Sequence, residues 1–86
     1  MAKGSATEKE QLDYREAERR IERSLRVGGL ELDIGNLRSL RELPPMIRSM
    51  ANLRSLYLYN TRVFDLSPLS GLMALERLDF VGTQVS

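Results

Sequence analysis

The chain of 86 residues contains no cysteine and no histidine. Without cysteine there is no disulfide framework and no thiol nucleophile. That usage fits a reducing cytosol, and a cytoplasmic location is the expectation. Without histidine the commonest general base and the commonest transition-metal ligand are missing. No apolar run approaches the roughly 18–20 residues of a membrane span. The opening stretch MAKGSATEKEQLDYREAERR has no apolar core of the secretory-signal type. Position 2 is Ala, so the glycine-based myristoylation signal is lacking. No excess of charge exists either, since 13 basic side chains face 12 acidic ones, a net charge of +1. Both signs are mixed along the whole chain, so neither a nucleic-acid nor a membrane partner is expected.

Motifs that would carry chemistry are also missing. There is no phosphate-cradling Gly-x-x-x-x-Gly-Lys-Ser/Thr and no Gly-x-Ser-x-Gly elbow. Glu31 and Asp33 form a close carboxylate pair, but residues i and i+2 of a strand simply share its solvent face. The expectation is a protein that is not an enzyme, with no catalytic residue, no cofactor and no metal. A chain this short makes one small domain with a modest core.

The feature that is present is repetition. Leu53, Leu56, Leu58, Thr61 and Val63 recur 22 residues later as Leu75, Leu78, Phe80, Thr83 and Val85. A degenerate unit lies upstream, with Leu32 and Ile34 placed 24 residues before Leu56 and Leu58. Its two extra residues are assigned to the return segment, one near Leu37–Leu40 and one at Pro44-Pro45. Within a unit the period changes. LYLY (56–59) alternates as a half-buried strand does. Then Val63, Leu66, Leu69, Leu72 and Leu75 recur every third position, as a tightly coiled return would. Ser67-Pro68 reads as a cap with proline at the first helical position, and Gly71 as the point where the chain turns back. Thr61 and Thr83 are expected to bond loop backbone. One such wedge cannot bury its leucines alone, whereas stacked wedges form a continuous core and a parallel sheet.

The pattern LxxLxLxxTxVxDLSPLxxL resembles the bacterial, internalin-like form of the leucine-rich repeat. LRELPPMIRSMANLRSLYL (40–58) is similar to the units of bacterial intracellular repeat proteins, including those of Roco GTPases. The resemblance covers residues 27–86. It implies an α/β fold: a short leucine-rich-repeat solenoid of about two and a half units with a parallel sheet of about three strands. It says little of function.

Residues 1–6 are expected to be disordered, 7–27 to form a capping helix, and 28–86 to hold the repeats with an open C-terminal end. Thr7-x-x-Glu10 is a capping box, with Ser5-x-x-Glu8 competing. Tyr14, Ala17, Ile21 and Leu25 form one apolar stripe, which should cover the edge of the first repeat near Leu30, Leu32 and Met46 or Ile47. Glu16–Arg20 and Glu22–Arg26 are i, i+4 ion pairs, and Gly28-Gly29 ends the helix.

What remains for function is a surface. The concave face is expected to carry Asp33, Ser55, Tyr57, Tyr59, Arg77, Asp79 and Val81, with Asp33, Tyr57 and Asp79 side by side. Tyrosine is enriched where binding energy concentrates. The primary expectation is a module that binds a protein partner through this face. Two alternatives stand beside it. The chain could be an N-terminal fragment of a longer repeat protein, in which case a cell-surface form stays open. It could instead self-associate through its uncapped last repeat.

Overall fold

A computed structural model describes residues 7–83. The segment 1–6, read as disordered, lies outside the described residues, as do Ser5 of the competing cap and Val85 of the last repeat. The chain is a small α/β domain with one helix, α1 (Glu8–Arg26), and three parallel strands, β1 (Glu31–Asp33), β2 (Ser55–Tyr57) and β3 (Arg77–Asp79), in the order β1-β2-β3.

Both ends of α1 are built from local chemistry. The Thr7 hydroxyl accepts from the Glu10 amide at 3.1 Å, and the Glu10 carboxylate accepts from the Thr7 amide at 2.7 Å. Two helix-end amides are thereby satisfied reciprocally. At the other end the Gly28 amide bonds the Leu25 carbonyl and the Gly29 amide bonds the Ser24 carbonyl, with φ of 110° and 66° at the two glycines. This paired closure is the Schellman motif, and its left-handed turn is why glycine stands there.

The buried stripe of α1 is Ala17, Ile21 and Ser24, with Tyr14 partly buried. Leu25 is instead 39 % exposed. It lies against Gly29, where it packs on the turn that ends the helix, and Ser24 takes the inward place. The Glu16–Arg20 pair forms at 2.9 Å, whereas Glu22 and Arg26 make no ion pair among the described residues.

The sheet register is Glu31–Ser55–Arg77, Leu32–Leu56–Leu78 and Asp33–Tyr57–Asp79. The ladder continues past the strands. Ile34 and Asn36 amides donate to Tyr57 and Tyr59 carbonyls, and Leu58 and Asn60 amides donate to Asp79 and Val81 carbonyls. Each strand then turns at one left-handed residue: Asn36 (φ 65°), Asn60 (φ 58°) and Gly82 (φ 80°). Asparagine and glycine are the residues that tolerate this conformation. The Asn60 amide group donates to Asn36 Oδ1 at 3.0 Å, tying two of these turns together.

The returns run through short 3₁₀ turns, Pro45–Ser49 and Ser67–Leu69. Their carbonyls are used in the same order: Ile47 to Pro44, Met50 to Ile47 and Leu53 to Met50 in one, Leu69 to Leu66, Leu72 to Leu69 and Leu75 to Leu72 in the other. Pro44 is therefore the counterpart of Leu66. Both extra residues of the first return thus fall between Asn36 and Pro44, and none falls at the proline pair. Ser67 is the first residue of its 3₁₀ turn rather than the cap, a place that Leu66 holds without a side-chain bond; the Ser67 amide instead bonds Asp65 Oδ1 at 2.9 Å, a local side-chain turn that leads into the return. That bond holds the Asp65 carboxyl below its ordinary pKa. Gly71 has open space around it and no left-handed backbone, so the turn there does not require glycine.

The core lies between sheet and returns. Leu32, Ile34, Leu56 and Leu58 come from the sheet side, with Leu40, Ile47, Met50, Leu53, Val63, Leu69 and Leu72 from the returns. The two threonines close the turn after their strands: Thr61 Oγ1 donates to the Leu58 carbonyl at 2.8 Å and Thr83 Oγ1 to the Phe80 carbonyl at 2.7 Å. Burial fades toward β3, where Leu75 and Leu78 are half-buried and Phe80 is 42 % exposed.

Ile21 is fully buried against this core. Ile21→Ala should cost about 2–5 kcal/mol, from lost transfer energy and the cavity left behind. That is a large part of the stability of so small a domain. Urea unfolding followed by circular dichroism should show helix and sheet signals falling together, earlier than in the wild type. A helix that melts while the sheet persists would show that α1 is a free arm.

Candidate partner-binding face

In a parallel strand, residues whose backbone points to one neighbour alternate with residues that point to the other. In β1 the residues 30, 32, 34 and 36 pair toward β2, so the carbonyls of 31, 33 and 35 point away from the sheet. All three are met by α1. Ser24 Oγ donates to the Glu31 carbonyl, and Arg20 Nη1 donates to the Asp33 carbonyl at 3.2 Å and the Gly35 carbonyl at 3.3 Å. Arg20 is held for this by Glu16, whose carboxyl is kept below its ordinary pKa by that hydrogen bond and the guanidinium charge. The helix side chains thus stand in for a missing strand at the edge of β1.

The open face of the sheet brings the predicted residues together, but not all of them remain available. Asp33, Tyr57 and Asp79 are in register, as expected from the sequence. Asp33 is already engaged: Oδ1 accepts from the Gly35 amide at 2.9 Å and Oδ2 from the Tyr59 hydroxyl at 3.2 Å. Asp79 makes the equivalent turn, with Oδ1 accepting from the Val81 amide at 3.1 Å, and its Oδ2 is not used within the described residues. These aspartates end their strands by the side-chain turn typical of the residue.

Tyr59 is a latch rather than a free ring. A Cβ on Gly35 would stand 2.4 Å from the Tyr59 ring, so the ring lies directly on the Gly35 backbone. Its hydroxyl pKa is raised, first by the bond it donates to Asp33 and then by the Asp33 charge. Ser55 is only 8 % exposed, because its short side chain lies between Glu31 and Arg77; it offers almost no surface, against the expectation. Val81 is 74 % exposed, and Arg77 is exposed with no ion pair among the described residues. Tyr57 is half-buried and its hydroxyl makes no hydrogen bond among the described residues.

A second concave feature lies elsewhere. A cleft of ≈ 540 Å³ is bordered by Glu10, Tyr14, Glu18, Arg41, Glu42 and Phe64. Arg41 bonds Glu10 at 3.3 Å and lies 6.0 Å from the Phe64 ring centroid. The Tyr14 hydroxyl pKa is raised by burial, then by Glu18 and Glu42. Sequence reasoning did not find this cleft, because its walls come from the helix and from both returns. The one local signal was Phe64, a bulky apolar residue just outside the three-residue spacing, and it is 54 % exposed.

Among the described residues no group of acidic, cysteine or histidine side chains could hold a metal ion, and no helix is long and apolar enough to cross a membrane. Comparisons with protein-family models, curated proteins and solved structures found no match.

Two expectations follow from the latch. Gly35→Ala should displace the Tyr59 ring and cost about 1–3 kcal/mol, the usual range for overpacking. In a Tyr59→Ala background the same substitution should cost clearly less, which thermal melts of the four chains would show. Equal costs in both backgrounds would mean that the ring does not occupy that space. The raised Tyr59 pKa also fixes a sign. The latch contributes fully below the ordinary tyrosine pKa and is lost as pH rises through the higher folded value. Asp33→Asn should shift tyrosinate formation to lower pH in a spectrophotometric titration of a Tyr14→Phe, Tyr57→Phe chain.

Proposed function

We propose that the chain is a short leucine-rich-repeat solenoid, capped at its N-terminal end by α1, that binds a protein partner through the open, concave face of its sheet. The recurring strand, left-handed turn and 3₁₀ return support the solenoid reading. The observation that carries the binding reading is Tyr57. It sits at the centre of the face, in register between two aspartates, with a hydroxyl that makes no hydrogen bond among the described residues.

The chemistry of the surroundings describes the partner. Glu31, Asp33 and Asp79 give the face around Tyr57 an acidic cast, offset by Arg77 at the β3 edge and by Arg20 at the β1 edge, whose guanidinium is already taken up by Glu16 and two carbonyls. An Arg or Lys of the partner would lie over the Tyr57 ring, attracted by its π face, with the free Asp79 oxygen beside it. Tyr59 and Asp33 hold the shape of this face rather than supply its contacts.

The test begins with peptides selected from a displayed random library on the immobilised chain. Selected sequences should be enriched in Arg or Lys. Titration of one such peptide against Tyr57→Ala should show a loss of about 2 kcal/mol or more, the scale of a central aromatic contact. Circular dichroism should show the fold retained. Unchanged affinity in Tyr57→Ala would overturn the assignment.

A further inference from the structure

The two edges of the sheet are unlike. At β1 the outward carbonyls are taken by Ser24 and Arg20 of α1. At β3 no described residue does this. Residues 77, 79 and 81 face β2, since the Arg77 amide bonds Arg54 and the Asp79 and Val81 carbonyls accept from Leu58 and Asn60. By alternation residues 76, 78 and 80 point outward. The Glu76 carbonyl, both Leu78 backbone groups and the Phe80 amide have no partner among the described residues. Beside them lie half-buried Leu75 and Leu78 and exposed Phe80. An unpaired edge next to apolar surface is a template for another strand.

We infer that this edge pairs with the same edge of a second copy of the chain, giving a two-fold dimer with a continuous six-stranded sheet. Three steps lead there. Two copies cannot stack head to tail through their strands, because α1 occupies the β1 edge. The remaining contact uses one patch twice, so it is isologous and closes as a dimer. A two-fold axis normal to the sheet makes the two β3 strands antiparallel.

Charge then selects the register. Only registers that oppose outward residues to outward residues form hydrogen bonds. An axis at residue 77 would set Arg77 against Arg77, and one at residue 79 would set Asp79 against Asp79. An axis at Leu78 sets Arg77 of each copy against Asp79 of the other, twice. The same register lets the Leu78 backbone groups bond each other and the Phe80 amides bond the Glu76 carbonyls. Every unpartnered group named above is used. Arg77, which has no ion pair among the described residues, gains one, and so does the second oxygen of Asp79. Opposite charges directly across antiparallel strands favour the pairing and like charges oppose it.

Sedimentation velocity across concentration tests this on the full chain. The wild type should reach a dimer plateau and no larger species. Arg77→Asp and Asp79→Arg, each alone, should weaken the dimer by about tenfold or more, since each creates two like-charge contacts. The doubly swapped chain, carrying both changes, should recover most of the wild-type affinity. A monomer at all concentrations, growth beyond a dimer, or a swap without recovery would each overturn the proposal. Should the charge variants fold poorly, the absence of native cysteine supplies a second measurement. An oxidised mixture of Arg77→Cys and Asp79→Cys chains should form the mixed disulfide in preference to either homodimer, because directly opposed residues of a non-hydrogen-bonded pair come close enough to bridge. Equal amounts of all three species would overturn it. Asp79 serves both readings, so they are separated elsewhere: Tyr57→Ala, a strand away from this edge, should abolish partner binding and leave the dimer, whereas Arg77→Asp should weaken the dimer and leave the Tyr57 contact in place.

Discussion

Every strand of a parallel sheet has backbone groups directed to both sides, and each must find a partner or water. That requirement governs this domain more than any single packing contact. β2 meets it with a strand on either side. β1 meets it for its outward carbonyls, those of 31, 33 and 35, with a helix laid along its edge whose Ser24 and Arg20 reach them. The position of α1 therefore follows from hydrogen-bonding need as well as from the burial of Ala17 and Ile21. A helix with the same apolar stripe but no donor at 20 and 24 would cover the core and leave the edge unsatisfied.

The aspartates and tyrosines on the open face show how one row of side chains can divide its labour. Asp33 and Asp79 close their strands by accepting an amide two residues on. Tyr59 fills the space that Gly35 leaves and returns a hydrogen bond to Asp33. These bonds tie the residues on either side of Tyr57 to their own backbone or to one another. The face is not a set of equivalent contact residues, and its free chemistry is concentrated at Tyr57, Arg77 and the second oxygen of Asp79.

Period and spacing made much of this legible. The alternation at LYLY and the recurrence of leucines located the strands and their register, and the capping box and double glycine located both ends of α1. The column Asp33–Tyr57–Asp79 followed from the repeat alone. What the sequence concealed was the direction of polar groups. The inward turn of Ser24 could not be read, because a serine among charged residues looks like solvent-facing helix; its value lies in a carbonyl seven residues on. The occupation of Asp33 and Tyr59 was hidden for a similar reason, since it depends on Gly35, whose absent side chain is felt only across the sheet. Asp65 rather than Ser67 supplies the side-chain bond at the start of the second return, as both residue types suit the role and only the backbone distinguishes them. Asn36 and Asn60 did carry a signal: asparagine at equivalent places, with glycine at the third, marks a left-handed turn.

The first return is longer than the second by two residues, both between Asn36 and Pro44, and that stretch is where α1 is held at its far end. The Ser39 amide donates to Asp13 at 2.8 Å and Arg41 reaches Glu10 at 3.3 Å. The helix is thus fastened along the sheet by Arg20 and Ser24 and again across the return by Asp13 and Glu10. The lengthened loop and the helix are one device in two pieces of sequence. Transplanted to the edge of a repeat with the shorter return, the helix would keep its grip on the strand and lose its grip on the loop. For anyone moving this helix to the edge of another parallel sheet, the transferable unit is residues 7–44 as a block and not the helix by itself.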